Sequence, residues 1–196
     1  MSFRQALSST QQAAVNELLS RIEEITNVDF AEVNQSPSSV GDVTFGLMDR
    51  SAANPGWTSD YPGPAKGGDV WLNSTTFGSS ASEVFNTVAL HEIGHAVGLK
   101  HPYPYDPFGD AGPYLSGDEA TVKYSMLSYA AHPKGVQNPV EPMLYDIAML
   151  QYLYGANYAF NSGNTTYSDW DYLELRSIWD GGASTRSPPP ERRPPH

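Results

Sequence analysis

Residues 91–101 read HEIGHAVGLKH, and the spacing H-E-x-x-H-x-x-G-x-x-H decides how this part of the chain folds. His91 and His95 are four residues apart. On an α-helix that puts them one turn apart on the same face, where both reach one metal ion. Glu92 directly follows the first ligand and points to the side of the ion. There it can meet a water on the metal without being a ligand itself. Gly98 comes just under one turn after His95. Glycine adopts the left-handed conformation that ends helices, so the chain can turn there and bring His101 round as a third ligand. Three of the five histidines in the chain thus fall at ligand spacing within this one stretch.

Three neutral imidazoles suit Zn²⁺ and leave the fourth tetrahedral position open, which marks a catalytic site rather than a structural one. Zinc brings the pKa of its water to about 7 and polarises a carbonyl oxygen. Glu92 is the expected general base, taking a proton from the attacking water and later handing it to the leaving amine.

The motif resembles that of the metzincin zinc peptidases. Pro102, directly after the third histidine, is similar to the serralysin branch of bacterial secreted proteases. Three further stretches agree in order. Residues 30–33, after an amphipathic helix, resemble that family's first strand. Residues 124–129, YSMLSY, resemble its methionine-bearing turn and the tyrosine that follows. Residues 146–157, DIAMLQYLYGAN, are similar to the end of serralysin catalytic domains. The family frame S-x-M-S-Y places Leu127 where the methionine belongs, with Met126 one position early. That methionine packs beneath the zinc without touching it. Leucine nearly conserves the volume, at a cost under about 1.5 kcal/mol. A turn shifted by one residue would instead misplace Tyr129. The resemblance gives Tyr129 a role in holding the tetrahedral intermediate, for which a phenol donor is suited.

Composition narrows the classes. A chain of 196 residues is long enough for one domain with a core. A formal net charge of −11 argues against nucleic acid or anionic membrane as partners. Without cysteine there is no disulfide and no thiol-based latency switch within the chain. Residues 1–14 lack the basic and apolar regions of a signal peptide, and no run approaches a membrane span. The resemblance nevertheless implies a secreted, extracellular protein, because serralysins use a dedicated exporter that reads a C-terminal signal. It implies protein or peptide substrates, allows a proteinaceous inhibitor, and goes with a monomer.

Along the chain, Ser9 and Gln12 read as a capping box. Val15, Leu18, Leu19, Ile22 and Ile25 then recur at helical spacing. Residues 29–33 and the alternating Val43, Phe45 and Leu47 read as strands, and the Pro/Gly-rich residues 54–68 as a loop. Val70, Trp71, Leu72 and Asn73 form a further strand. By resemblance it is the rim strand to which an extended substrate adds through backbone hydrogen bonds. Ser80 and Glu83 read as the capping box of the zinc helix, with Val84, Phe85, Val88 and Ala89 burying one face. Residues 103–123 read as a long loop. Its Asp106, Asp110, Asp118 and Glu119 could hold Ca²⁺, although their spacing matches no calcium loop and solvated acids account for them. His132 reads as a surface residue. Pro142 suits the first turn of a last helix with Met143, Leu144, Ile147, Leu150 and Tyr154 on its apolar face and Gly155 at its end. Asp146 on that helix either bonds backbone near residues 125–129 or sits partly exposed in the helix's first turn.

The expected architecture is α+β: a metzincin-like zincin domain over residues 1–157, with a small mixed twisted sheet packed on two long helices, the active-site helix and the C-terminal helix. Residues 158–180 form an extension able to pack on the domain. Residues 181–196 have the composition of a disordered Pro-rich tail. No glycine- and aspartate-rich calcium repeat is present. The expected function is endopeptidase action by Glu92 and Tyr129, with His91, His95 and His101 on zinc, residues 70–73 on substrate, and Gly98, Leu127 and Asp146 in support. The alternative is a zinc-loaded but catalytically impaired homologue that binds proteins. A zinc hydrolase of non-peptide amides fits the rim strand less well, and a calcium-dependent binding module lacks its repeats.

Overall fold

Helix α1 (Ser9–Ile25) begins one residue earlier than the capping box read from sequence. In the computed structural model, which describes residues 4–34, 36, 41–49, 55–58, 68–104, 112–135, 138–167 and 175–182, the N-cap is Ser8. Its Oγ accepts the Gln11 N–H at 3.2 Å, and Gln11 Oε1 accepts the Ser8 N–H at 3.0 Å. Both frames satisfy the local motif, and tertiary contacts choose between them. Gln11 is fully buried, and its Nε2 donates to the carbonyls of Gly78 and Ser80, both at 3.2 Å. Val15, Leu18, Ile22 and Ile25 then line the buried face at the expected spacing.

Among the described residues the sheet has four strands: β1 (Arg4–Gln5), β2 (Thr44–Met48), β3 (Gly56–Thr58) and β4 (Asp69–Asn73), in the order β1-β2-β4-β3. It is mixed, as expected. The central pair, β2 and β4, is parallel with Phe45 opposite Val70, and both outer strands are antiparallel to their neighbours. Two strand expectations are corrected. Residues 29–33 carry no ladder; the place beside β2 is taken by Arg4–Gln5, and the Phe30 N–H is satisfied at 2.7 Å by the Glu23 carboxylate. Residues 54–68, read as loop, contain β3. A three-residue strand preceded by Pro55 has too little pattern to register, yet short strands flanked by proline are how sheet edges are commonly built.

The third correction bears on function. Val70, Trp71, Leu72 and Asn73 do not form a rim, because β4 is hydrogen-bonded on both sides, to β2 and to β3. Val70 and Leu72 are wholly buried. The unbroken apolar run Val-Trp-Leu is the pattern of an inner strand rather than of a half-exposed edge. Among the described residues the edge on this side of the sheet is β3, and β1 is the other edge.

A short helix α2 (Ser74–Phe77) leads from β4 towards helix α3 (Glu83–Ala96), which lies on β3 and β4. Helix α1 packs on α3, and helix α4 (Leu144–Tyr154) packs on α1. Among the described residues the long helices are α1, α3 and α4, each read from the sequence, and α1 is the longest at 17 residues. Helix α4 starts two residues after Pro142, and Leu144 is exposed rather than part of the buried face. The ends of α1 and α4 are tied together. Thr26 and Ala156 form a bridge, Asn27 donates to Gly155 O at 3.1 Å, Gln151 Nε2 to Ile25 O at 3.0 Å, and Asn157 Nδ2 to Glu23 O at 2.9 Å. Trp179 packs against this core and donates to Asn157 O at 2.9 Å. Residues 183–196 of the expected tail lie outside the described residues. No described helix is long and apolar enough to cross a membrane.

Candidate metal centre

Helix α3 is capped by Ser82, not Ser80; the Ser82 Oγ accepts the Phe85 N–H at 3.2 Å, and Glu83 sits in the first turn. Phe85, Ala89 and Ile93 are fully buried, whereas Val84 faces solvent. At its C-terminus the helix closes as the sequence anticipates. Gly98 has φ +94°. Leu99 N donates to Gly94 O at 2.9 Å and Gly98 N to His95 O at 3.0 Å. These two bonds are those of a Schellman motif with Gly98 in the left-handed position. The reversal sends residues 99–101 back towards the helix's own last turn.

That reversal builds the site. The ligand nitrogens of His91, His95 and His101 all lie within 4.8 Å of one another. His91 Nδ1 lies 3.2 Å from Met126 O, and His95 Nδ1 lies 2.9 Å from Leu99 O. A carbonyl only accepts, so both Nδ1 atoms carry the proton and both Nε2 atoms present a lone pair. The Nε2 atoms of His91 and His101 are 3.3 Å apart. Tetrahedral ligands about 2.0–2.1 Å from zinc are about 3.3–3.4 Å apart, so this edge fits the ion. Burial, with His95 and His101 alongside, brings His91 down to about 3, and burial also lowers His95. These two imidazoles are therefore neutral at pH 7, the form that binds a metal. His132 stands apart from the cluster, with its Nδ1 accepting the Lys134 N–H.

Beneath the imidazoles runs the turn of residues 125–129. Leu127 is 1% exposed and its side chain, with that of Met126, presses on α3 at Gly94. A Cβ at Gly94 would meet Met126 Cε at 2.7 Å and Leu127 Cδ2 at 2.9 Å. The helix and the turn approach this closely because Gly94 has no side chain. The turn is not displaced by the early methionine: Tyr129 OH reaches to 3.2 Å from His101 Nε2, and the Tyr129 ring stacks on His91 at 5.3 Å.

Asp146 takes the first of its two expected placements. It is 4% exposed. Its Oδ1 accepts the Ser125 hydroxyl at 2.8 Å, and its Oδ2 accepts the N–H of Met126 at 2.6 Å and of Met143 at 2.9 Å. Burial pushes this carboxyl up to about 6 against the pull of those donors, so it is still ionised at neutral pH. Met126 thus receives the carboxylate at its N–H and supports His91 through its carbonyl. Asp146→Asn turns one acceptor into a donor that faces an N–H or a hydroxyl. The expected outcome is a loss of about 2 kcal/mol in urea unfolding and zinc affinity lower by about tenfold. Unchanged values in both measurements would show that Asp146 does not hold the turn.

Glu92 is 6% exposed and follows His91 on α3. Strand β3 passes directly over it: a Cβ at Gly56 would lie 3.1 Å from Glu92 Cγ and 2.6 Å from Val88 Cγ1. The residue that sequence reasoning missed is Tyr103. Its ring stacks on His101 at 5.7 Å with an 18° tilt, and its hydroxyl accepts the Tyr129 N–H at 3.0 Å. Its position two residues after a ligand was the available signal. Of the acids considered for calcium, Asp106 and Asp110 lie outside the described residues. Asp118 and Glu119 are exposed on a 3-10 turn (Gly117–Ala120), where Glu119 accepts the Tyr145 hydroxyl at 3.0 Å.

The chain has clear relatives. It is 32% identical to the metalloprotease AprA of Pseudomonas entomophila, over 82% of this chain and 39% of that protein. It is 32% identical to serralysin of Proteus mirabilis, over 60% of this chain and 29% of that protein. Serralysin of Photorhabdus luminescens is 28% identical over 91% of this chain and 42% of its own length. The chain thus spans about two fifths or less of the curated relatives it matches. No family profile matches it.

Proposed function

We propose, for a chain related over most of its length to the serralysin-type metzincin metalloproteases, that it is a zinc endopeptidase domain that hydrolyses internal peptide bonds. The observation that carries this is the convergence of three imidazoles on one point, with a buried carboxylate next to the first of them. His91, His95 and His101 hold the ion. When bound, zinc supplies a Lewis acid that polarises the scissile carbonyl and makes water a nucleophile near pH 7.

The rest is done by the chain's own groups. Glu92 takes the proton of the attacking water and delivers it to the leaving nitrogen as the C–N bond breaks. Burial keeps that carboxylate away from bulk solvent. Tyr129 OH, beside His101, is placed to donate to the oxyanion as the carbonyl becomes tetrahedral. Substrate is proposed to lie along the outer edge of β3 rather than on residues 70–73, because β3 is the edge strand that runs over Glu92. An extended peptide pairing there by backbone hydrogen bonds would run past the carboxylate. The same kinship supports action outside the cell, on proteins or peptides.

The test is purified chain assayed on casein and on a quenched peptide, with bound zinc measured in the same sample. Chelation should abolish cleavage and added zinc restore it. A zinc-replete sample that binds polypeptides and cuts none would establish the protein-binding alternative instead.

A further inference from the structure

The geometry points to Tyr103 as a positioning residue that fixes the backbone of Tyr129; this rests on the reading of Tyr129 as the oxyanion donor. The placement begins in the sequence His101-Pro102-Tyr103-Pro104. Each proline confines the residue before it to extended backbone. The chain bends at residues 102 and 103, and the His101 and Tyr103 rings come to lie 5.7 Å apart and nearly parallel.

From that platform the Tyr103 phenol reaches the turn under the metal centre. The turn's amides find their acceptors in different places. Met126 N donates to Asp146, Leu127 N to Ser125 Oγ, Ser128 N to Ser125 O and Ala130 N to Ser128 Oγ. Tyr129 N alone in this run donates to the ligand-bearing segment, through Tyr103 OH at 3.0 Å. Tyr129 is 62% exposed, and its ring meets those of His91, His101 and Tyr103. A hydrogen bond on its own amide ties its Cα to the segment that carries His101. The pivot of the phenol is thereby kept at a set distance from the metal position.

Tyr103→Phe keeps the stacked ring and removes the acceptor. In this variant the Tyr129 amide should exchange its hydrogen about tenfold faster, with the Leu127 and Ala130 amides unchanged. The value of kcat should fall about three- to tenfold, as expected for one hydrogen bond, with KM and zinc content as in the parent. In a Tyr129→Phe background the same substitution should lower kcat no further, because the two residues act as one unit. Unchanged exchange at Tyr129 overturns the inference whatever the proteolysis shows, and so does an equal loss of kcat in both backgrounds. Failure of the parent protein to cut peptides would defeat the proposed function and leave the exchange result to decide the role of Tyr103.

Discussion

Replacing Glu92 with glutamine leaves zinc in place and lowers turnover about a thousandfold, near the middle of the range for loss of general acid–base catalysis. The side chain keeps its shape and its buried position on α3, so the three imidazoles and their partners at Met126 O and Leu99 O are undisturbed. What disappears is the capacity to take a proton from water and to give it to an amine. Zinc content and kcat on a quenched peptide, measured on one sample, separate these effects. A variant that loses zinc would mean Glu92 supports the ligands. A variant that cuts as fast as the parent would falsify the assignment of the base.

His95→Ala should empty the centre. Two imidazoles cannot enclose the ion, and His95 is the ligand most closely tied to the helix's own closure, through Leu99 O at 2.9 Å. Altering only an outer partner of a ligand costs about 10- to 100-fold in affinity, so loss of the ligand itself should exceed about 100-fold. Cleavage should vanish with the metal, and raised zinc should recover little of it. Because the imidazole is half-buried and neutral in the fold, its removal should not unfold the domain. An unchanged circular dichroism spectrum beside a zinc-free, inactive protein is the expected pair of results.

The centre was legible in the sequence because its parts are close together. The spacing of His91, His95, Gly98 and His101 dictates one helix turn, one left-handed residue and one return, and these are what the chain adopts. Residues whose placement depends on distant partners were harder to read. The frames Ser8–Gln11 and Ser9–Gln12 are locally equivalent, and the carbonyls of Gly78 and Ser80 decide between them. Whether β4 is inner or outer depends on β3, three residues with no visible period. Tyr103 offered only its place two residues after a ligand as a signal, since its role is set by a turn 26 residues away. Asp146 lay between these cases. Its helix was evident, while its choice of partners required the turn of residues 125–129 to be in place.

That last dependence has a consequence for biosynthesis. A polypeptide leaving the ribosome has all three imidazoles and Glu92 well before Asp146 emerges, and the tie between the ends of α1 and α4 needs residues still later. Until then the turn beneath the ligands lacks its anchor and α1 lacks its closing partner. The metal centre of a half-made chain is thus unsupported from below, and under the proposed function the cell that makes it meets a competent site only once α4 has docked.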